Sequence, residues 1–463
     1  MQLTVINPAT GQEIIKLDED NDQSLSEKFT NLKIGQSNWQ TIPLQQRVDI
    51  LMRFHLLLEN HQAELADLLT SEVGKPLQQS INEIDGARGR IAWLCKHATT
   101  YLADEYMVEE ANMGEKIVYE PLGVICNISA WNYPYLVGIN VIIPALLAGN
   151  AVLYKPSEFA SLTGLQIRKL LLEAGVPKNV FEIAIGKGPV GAALLDMELD
   201  GYYFTGSYQT GQFIYQKLAH KMVPCQLELG GKDPLYITDD IADIKNTAIG
   251  TADGAFYNNG QSCCSVERIY VHELVYDKYV AAFVEEVTSW KIGSAMDEGV
   301  YIAALTRPAQ IEILENQVQD ALTKGAQLLC GGKRIARPGN YFEPTVLCQV
   351  TNDMLVMQEE SFGPIIGIMK VCHDEEAISL MNDTVYGLTA SVYSRSQKRA
   401  EAILAKVNAG TGYWNCCDRV SPALPWSGRK HSGFGATLSH AGLRAFTKPK
   451  AYHLKGDWKK TAV

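Results

Sequence analysis

The chain has 463 residues, 46% of them apolar and 20% charged, and a formal net charge of −11. That length exceeds one ordinary core and predicts two or three domains of globular composition. The acidic balance argues against nucleic acid and anionic membranes as partners, because both need a basic face. Ten cysteines are too sparse for a disulfide scaffold, and the adjacent pairs Cys263-Cys264 and Cys416-Cys417 lack zinc-ligand spacing. No metal is therefore expected, and reduced thiols in a cytoplasmic setting are the natural reading. The first residues carry neither the basic segment nor the apolar run of a secretory signal.

From Gln45 to about Thr100 the pattern is helical. Ile50, Leu51, Phe54, Leu57 and Leu58 recur at helix spacing, and residues 63–73 and 81–102 continue it. Segments 106–110 and 115–119 then flank Ala111-Asn112-Met113-Gly114 and predict a β-hairpin. Residues 121–154 contain no charge, which superficially resembles a membrane span. Asn132, Pro134, Asn140, Pro144 and Gly149-Asn150 interrupt the run, however, and β-rich stretches at 123–129 and 151–154 flank a helix-like middle. That is how a buried β-α-β unit reads.

Further strands are expected over 180–185, 202–205 and 224–229, with helices centred near Ile142, Ile167, Ala193 and Phe213. Short apolar strands alternating with helices predict an α/β fold with a doubly wound, Rossmann-type parallel sheet. Gly186-Lys187-Gly188-Pro189-Val190-Gly191 matches G-x-G-x-x-G after a strand, a weak signal when alone. A second α/β unit begins near Gly231, with a helix over 242–257, a strand over 268–272, and helices over 275–289, 308–324 and 398–407. The tail 448–454 alternates like a strand, and the polar residues from Lys455 onward are expected to fray or to pair with another subunit.

Two strings carry chemistry. Gln226-Leu227-Glu228-Leu229-Gly230-Gly231-Lys232 offers a carboxylate on a strand that runs into a Gly-Gly turn. Phe256-Tyr257-Asn258-Asn259-Gly260-Gln261-Ser262-Cys263-Cys264 offers a thiol just past a glycine. A thiol nucleophile and a carboxylate base are the minimum set for covalent work on a carbonyl. In this order the two strings resemble the signature pair of the aldehyde dehydrogenase superfamily. The resemblance runs from Asn7-Pro8-Ala9-Thr10-Gly11 to Ser432-Gly433-Phe434-Gly435.

The resemblance implies oxidation of an aldehyde to a carboxylic acid by NAD, with NADP as the alternative. It implies a dinucleotide-binding domain from 1–102 and 121–230, a catalytic thiol domain from 231–432, and an oligomerisation element from 103–120 and 445–463. A homodimer or homotetramer would follow. Cys263 matches the nucleophile, Asn132 in Trp131-Asn132-Tyr133-Pro134 the oxyanion donor, and Glu228 the base that the coenzyme A-acylating branch typically lacks. Trp131, Lys155, Glu158, Gly206, Ser207, Glu360 and Phe362 match dinucleotide contacts.

Tyr133, Leu136, Val137, Tyr257, Cys264, Asp418 and Trp426 would wall the substrate channel, although simple packing remains an equal reading of Cys264. Family members often carry aromatic residues where this chain has Asn140 and Val420, and Pro425-Trp426-Ser427-Gly428 replaces the commoner Pro-Phe-Gly-Gly. These departures touch the substrate. A variant reading is a succinate-semialdehyde dehydrogenase, specialised for ω-carboxylated aldehydes, with Arg419 pairing the carboxylate; a solvent-facing Arg419 is the alternative.

Overall fold

The uncharged stretch folds as the strand Val124–Ile128, the helix Pro134–Ala148 and the strand Ala151–Lys155. Pro134 sits at the first helical position, where its missing N–H is not needed. Ile139, Ile142, Leu146, Val152 and Leu153 are fully buried, which is why the segment carries no charge. Among the described residues no helix is long and apolar enough to cross a membrane. The computed structural model describes residues 1–456.

The first sheet orders its strands Gly433–Phe434, Cys225–Glu228, Gly201–Thr205, Val124–Ile128, Ala151–Lys155 and Phe181–Ile183. The last five are parallel, as expected, and only Gly433–Phe434 runs antiparallel. Strand order reverses between Val124–Ile128 and Gly201–Thr205, which opens a crevice beyond their carboxyl ends. The helix Leu77–Tyr101 packs against Pro134–Ala148 and so borders the same crevice.

Past Glu228 the chain crosses through Leu229-Gly230-Gly231-Lys232 into a second sheet. Its order is Gln327–Cys330, Thr345–Cys348, Ile365–Val371, Val266–His272, Asp233–Ile237, Thr389–Tyr393 and Thr411–Trp414. All neighbours pair in parallel except the first two strands. Separate apolar clusters, one around Leu314, Met357 and Ile403, the other around Phe256, Ile269 and Phe283, cover its two faces.

A third, antiparallel sheet joins Glu105–Glu110, Met113–Pro121 and Thr447–Lys455. The hairpin and the terminal strand predicted from sequence therefore pair with each other, in register from Thr447↔Pro121 to Lys455↔Met113. Residues 457–463 of the expected oligomerisation element lie outside the described residues. Sequence reading assigned neither the hairpin Gln2–Ile6/Glu13–Asp18 nor the helix Asp22–Trp39, and it found only one strand of the second sheet.

Candidate active site

The thiol loop begins where the helix Ile244–Phe256 stops. Asn258, Asn259 and Gly260 follow with φ of 55°, 57° and 70°. Asparagine tolerates this left-handed region better than most residues, and glycine best of all. A Cβ on Gly260 would stand 2.3 Å from the Gly363 carbonyl oxygen, so the position admits nothing larger. Buried side chains then brace the turn. Asn258 N–H donates to Gln79 Oε1 at 2.9 Å, Ala303 N–H to Asn259 Oδ1 at 2.8 Å, and Thr306 N–H to Gln261 Oε1 at 2.9 Å. Cys263 emerges from this loop partly exposed, whereas Cys264 is buried.

Cys263 lines two cavities, one of about 610 Å³ on the side of the first sheet and one of about 670 Å³ on the other. Asn132 is buried in the wall of the first cavity, and its Nδ2 donates to the Gln261 carbonyl at 3.1 Å. That amide has a second N–H available for another acceptor. The Asn132 carbonyl accepts from Lys75 Nζ at 2.7 Å and from Asn258 Nδ2 at 3.1 Å. Lys75 is ion-paired with Glu83 in full burial, and Glu83 Oε1 accepts from Tyr135 N–H at 2.8 Å. Lys75 thus holds the Asn132 carbonyl, and Glu83 the Tyr135 N–H three residues on. Sequence reading missed the pair, because neither residue sits in a string with a chemical signature.

Glu228 closes its strand at 7% exposure, and Gln226 Nε2 donates to its Oε1 at 3.1 Å. Its Oε2 has no partner among the described residues. Burial pushes the carboxyl well above the usual carboxylate range. A carboxyl raised in this way holds its proton more tightly and is a stronger base once it loses it.

The 610 Å³ cavity gathers all seven residues expected at the dinucleotide, together with Glu228 and with Gly188 and Gly191 of the G-x-G-x-x-G string. Two helices start at its wall, Gly188–Asp196 and Tyr208–Leu218. Ser207 caps the second, its Oγ accepting from Thr210 N–H at 3.5 Å. A Cβ on Gly206 would meet Phe204 Cζ at 2.4 Å, so bare backbone must stand there beside a helix start. Such a place favours an anionic pyrophosphate.

Lys155 is 4% exposed, and burial lowers its affinity for the proton, with Glu158 opposing that shift. Glu360 Oε1 accepts from Gly231 N–H at 3.1 Å, and burial pushes that carboxyl up to about 8. Phe362, at φ 45°, packs edge-on to Trp131 with ring centroids 5.5 Å apart. Glu267 holds this turn, accepting from Ser361 N–H at 2.8 Å, Phe362 N–H at 3.0 Å and Lys232 Nζ at 2.5 Å. Lys232 and Glu267 are further supports that sequence reading left without a role.

The second cavity brings together Tyr133, Leu136, Val137, Asn140, Tyr257, Cys264, Asp418, Val420 and Trp426, as the channel reading expected. Cys264 Sγ donates to Asp418 Oδ1 at 2.9 Å. A hydrogen bond with Cys263 and burial push the Cys264 thiol up, and burial pushes the Asp418 carboxyl well above its usual range. Arg419 is exposed at the rim. Arg90, from the helix Leu77–Tyr101, lines the interior instead and was not singled out from sequence.

The family model described as "Aldehyde dehydrogenase family" matches residues 1–452. Betaine aldehyde dehydrogenase of Cereibacter sphaeroides is 34% identical over 457 residues, spanning 98% of this chain and 93% of the relative. Mitochondrial succinate-semialdehyde dehydrogenase of Oryza sativa subsp. japonica is 31% identical over 450 residues, spanning 97% and 85%. The crystal structure of an NAD-dependent aldehyde dehydrogenase from Sinorhizobium meliloti superposes with a TM-score of 0.95 at 30% identity, covering 98% of this chain and 91% of that one. With the fold, the thiol loop and the dinucleotide-sized cavity in place, the chain belongs to the aldehyde dehydrogenase family, oxidoreductases that oxidise aldehydes with NAD(P).

Proposed function

We propose that this chain oxidises an aldehyde to a carboxylic acid through a thioester on Cys263, with Asn132 as the oxyanion donor and Glu228 as the hydrolytic base. The observation that carries the reading is the position of Cys263, which opens onto both cavities. The thiolate adds to the carbonyl carbon and gives a thiohemiacetal whose oxyanion lies near Asn132 Nδ2 and the Cys263 N–H. One such donor is worth about 3–4 kcal/mol in comparable acyl transfer. NAD(P), when bound, accepts the hydride that leaves this carbon. Ionised Glu228 then takes a proton from water, the water oxygen adds to the thioester, and the carboxylate product leaves as the thiolate returns.

Glu158 supports a preference for NAD. Its carboxylate lines the dinucleotide cavity beside Lys155, suited to accept from an adenosine 2′-hydroxyl and to repel a 2′-phosphate. The three-stranded sheet of the hairpin and terminal strand supports a homodimer or homotetramer, which sedimentation would read directly. The partner in catalysis is a small-molecule aldehyde. Following reduced nicotinamide by absorbance across an aldehyde panel, with and without coenzyme A, tests the reaction. Turnover without coenzyme A is expected; strict dependence on it would contradict the role of Glu228.

A second reading narrows the substrate to ω-carboxylated aldehydes such as succinic semialdehyde. The relatives do not choose, since their names include both a cationic and an anionic aldehyde. A guanidinium inside the substrate cavity favours the anionic class.

A further inference from the structure

Arg90 is 8% exposed, yet it has no ionic partner among the described residues. Its Nη1 donates to Asn140 Oδ1 at 2.9 Å and to the Leu136 carbonyl at 3.2 Å, which uses both N–H groups of that nitrogen. The Nε and Nη2 edge has no protein acceptor among the described residues, and the side chain lines the cavity that ends at Cys263. That edge carries the parallel N–H fork that matches a carboxylate.

Carboxylates of the same cavity are engaged elsewhere. Glu83, two turns earlier on the helix, is held by Lys75 and by the Tyr135 N–H. Asp253 accepts from the Tyr301 hydroxyl at 2.6 Å. Asp418 accepts from Cys264, and burial pushes its carboxyl well above the usual carboxylate range. Burial lowers Arg90 only to about 10, so the guanidinium stays charged, and the nearby Cys264, Glu83 and Cys263 are the groups that support that charge. An uncompensated buried charge is costly to the fold. Asn140 fixes the plane of the guanidinium with a neutral amide and leaves the charge available. Arg419, exposed at the rim, is a poor anchor by comparison.

We propose that Arg90 is the specificity residue for the far end of the substrate, binding the terminal carboxylate of an aldehyde through Nε and Nη2 while the carbonyl carbon reaches Cys263. This rests on the covalent oxidation proposed above and replaces Arg419 as the anchor. The substrate class is an ω-carboxylated aldehyde.

The test measures kcat/KM for a short aldehyde ending in carboxylate, for its methyl ester, and for the same chain ending in ammonium. Wild-type enzyme should favour the carboxylate over the ester by about ten- to a hundredfold, the worth of a charge-assisted pair, chiefly through KM. In Arg90→Leu the carboxylate should lose ten- to a hundredfold more than the ester loses, and Arg90→Lys should restore part of the difference. The wild-type ratio stands even if a variant folds poorly. Preference for the ester or the ammonium chain, or equal losses on both substrates in Arg90→Leu, would overturn the assignment. An enzyme active on the ester but indifferent to the carboxylate sinks Arg90 alone; one that oxidises no aldehyde sinks the covalent reading with it.

Discussion

The two cavities that meet at Cys263 differ in what builds their walls. On the dinucleotide side, backbone held in fixed turns does much of the work, at Gly206 and in the Phe362 turn that Glu267 supports. On the aldehyde side the wall is made of side chains from segments far apart in sequence, with Arg90, Tyr133, Tyr257 and Asp418 as examples. A backbone cradle serves one ligand and tolerates little change, because a new Cβ or a lost turn closes it. A side-chain chamber can be refitted one residue at a time. In the proposed reading the first cavity takes the dinucleotide and the second selects the aldehyde.

Substitutions at the junction should stop the chemistry while leaving the cavities on either side intact. Cys263→Ala should lower turnover by roughly 10⁶, the scale for loss of a covalent nucleophile, while dinucleotide binding measured by fluorescence titration is retained. Asn132→Ala should lower kcat by about 10²–10³ through loss of one oxyanion donor. If that loss fell on KM alone, Asn132 would be a binding residue instead. On the dinucleotide side, Glu158→Ser should shift the NAD-to-NADP ratio of kcat/KM towards NADP by roughly ten- to a hundredfold, with little change for a given aldehyde series. A wild-type preference for NADP would show that Lys155 outweighs the glutamate.

Acidity should separate the steps. Glu228 acts as a base only when ionised, and burial raises its pKa, so steady-state kcat should climb with pH by up to about tenfold per unit below that pKa. The Glu228→Gln variant should lose this slope. At the mild end, Cys264→Ala should keep most activity, since its thiol is buried against Asp418 and, although it hydrogen-bonds Cys263, forms no bond to the substrate in the proposed steps. Exchanged phenotypes for the two cysteines would relocate the nucleophile.

The difference between the cavities also governs what could be read from sequence. Strings such as Phe204-Thr205-Gly206-Ser207 and Glu359-Glu360-Ser361-Phe362-Gly363-Pro364 are legible because a tight turn needs contiguous, conformationally specific residues. Arg90 was not legible, since one arginine on a helix reads as a solvated face until the neighbouring helix closes over it. The Lys75–Glu83 and Lys232–Glu267 pairs were invisible for the same reason: their partners are eight and thirty-five residues apart, with no local constraint on either spacing.

At the level of fold, the parallel strands of the first sheet announced themselves by continuous burial. The helix Asp22–Trp39 did not. It buries only Leu25, Leu32, Gly35 and Trp39, too thin a stripe to stand out, although the Asn21–Ser24 capping box marks its start. Strands of the second sheet such as Thr345–Cys348 and Thr411–Trp414 are four residues long, too short for a periodic signal.

The division of labour between Cys263 and Glu228 is best tested by rapid mixing of Glu228→Gln with NAD and aldehyde, following reduced nicotinamide. Hydride departure precedes any need for activated water. The account predicts a fast burst of about one reduced cofactor per active site, close to the wild-type rate, followed by a steady state slowed by deacylation. A first turnover slowed as much as the steady state, with no burst, would contradict it and place Glu228 before the thioester.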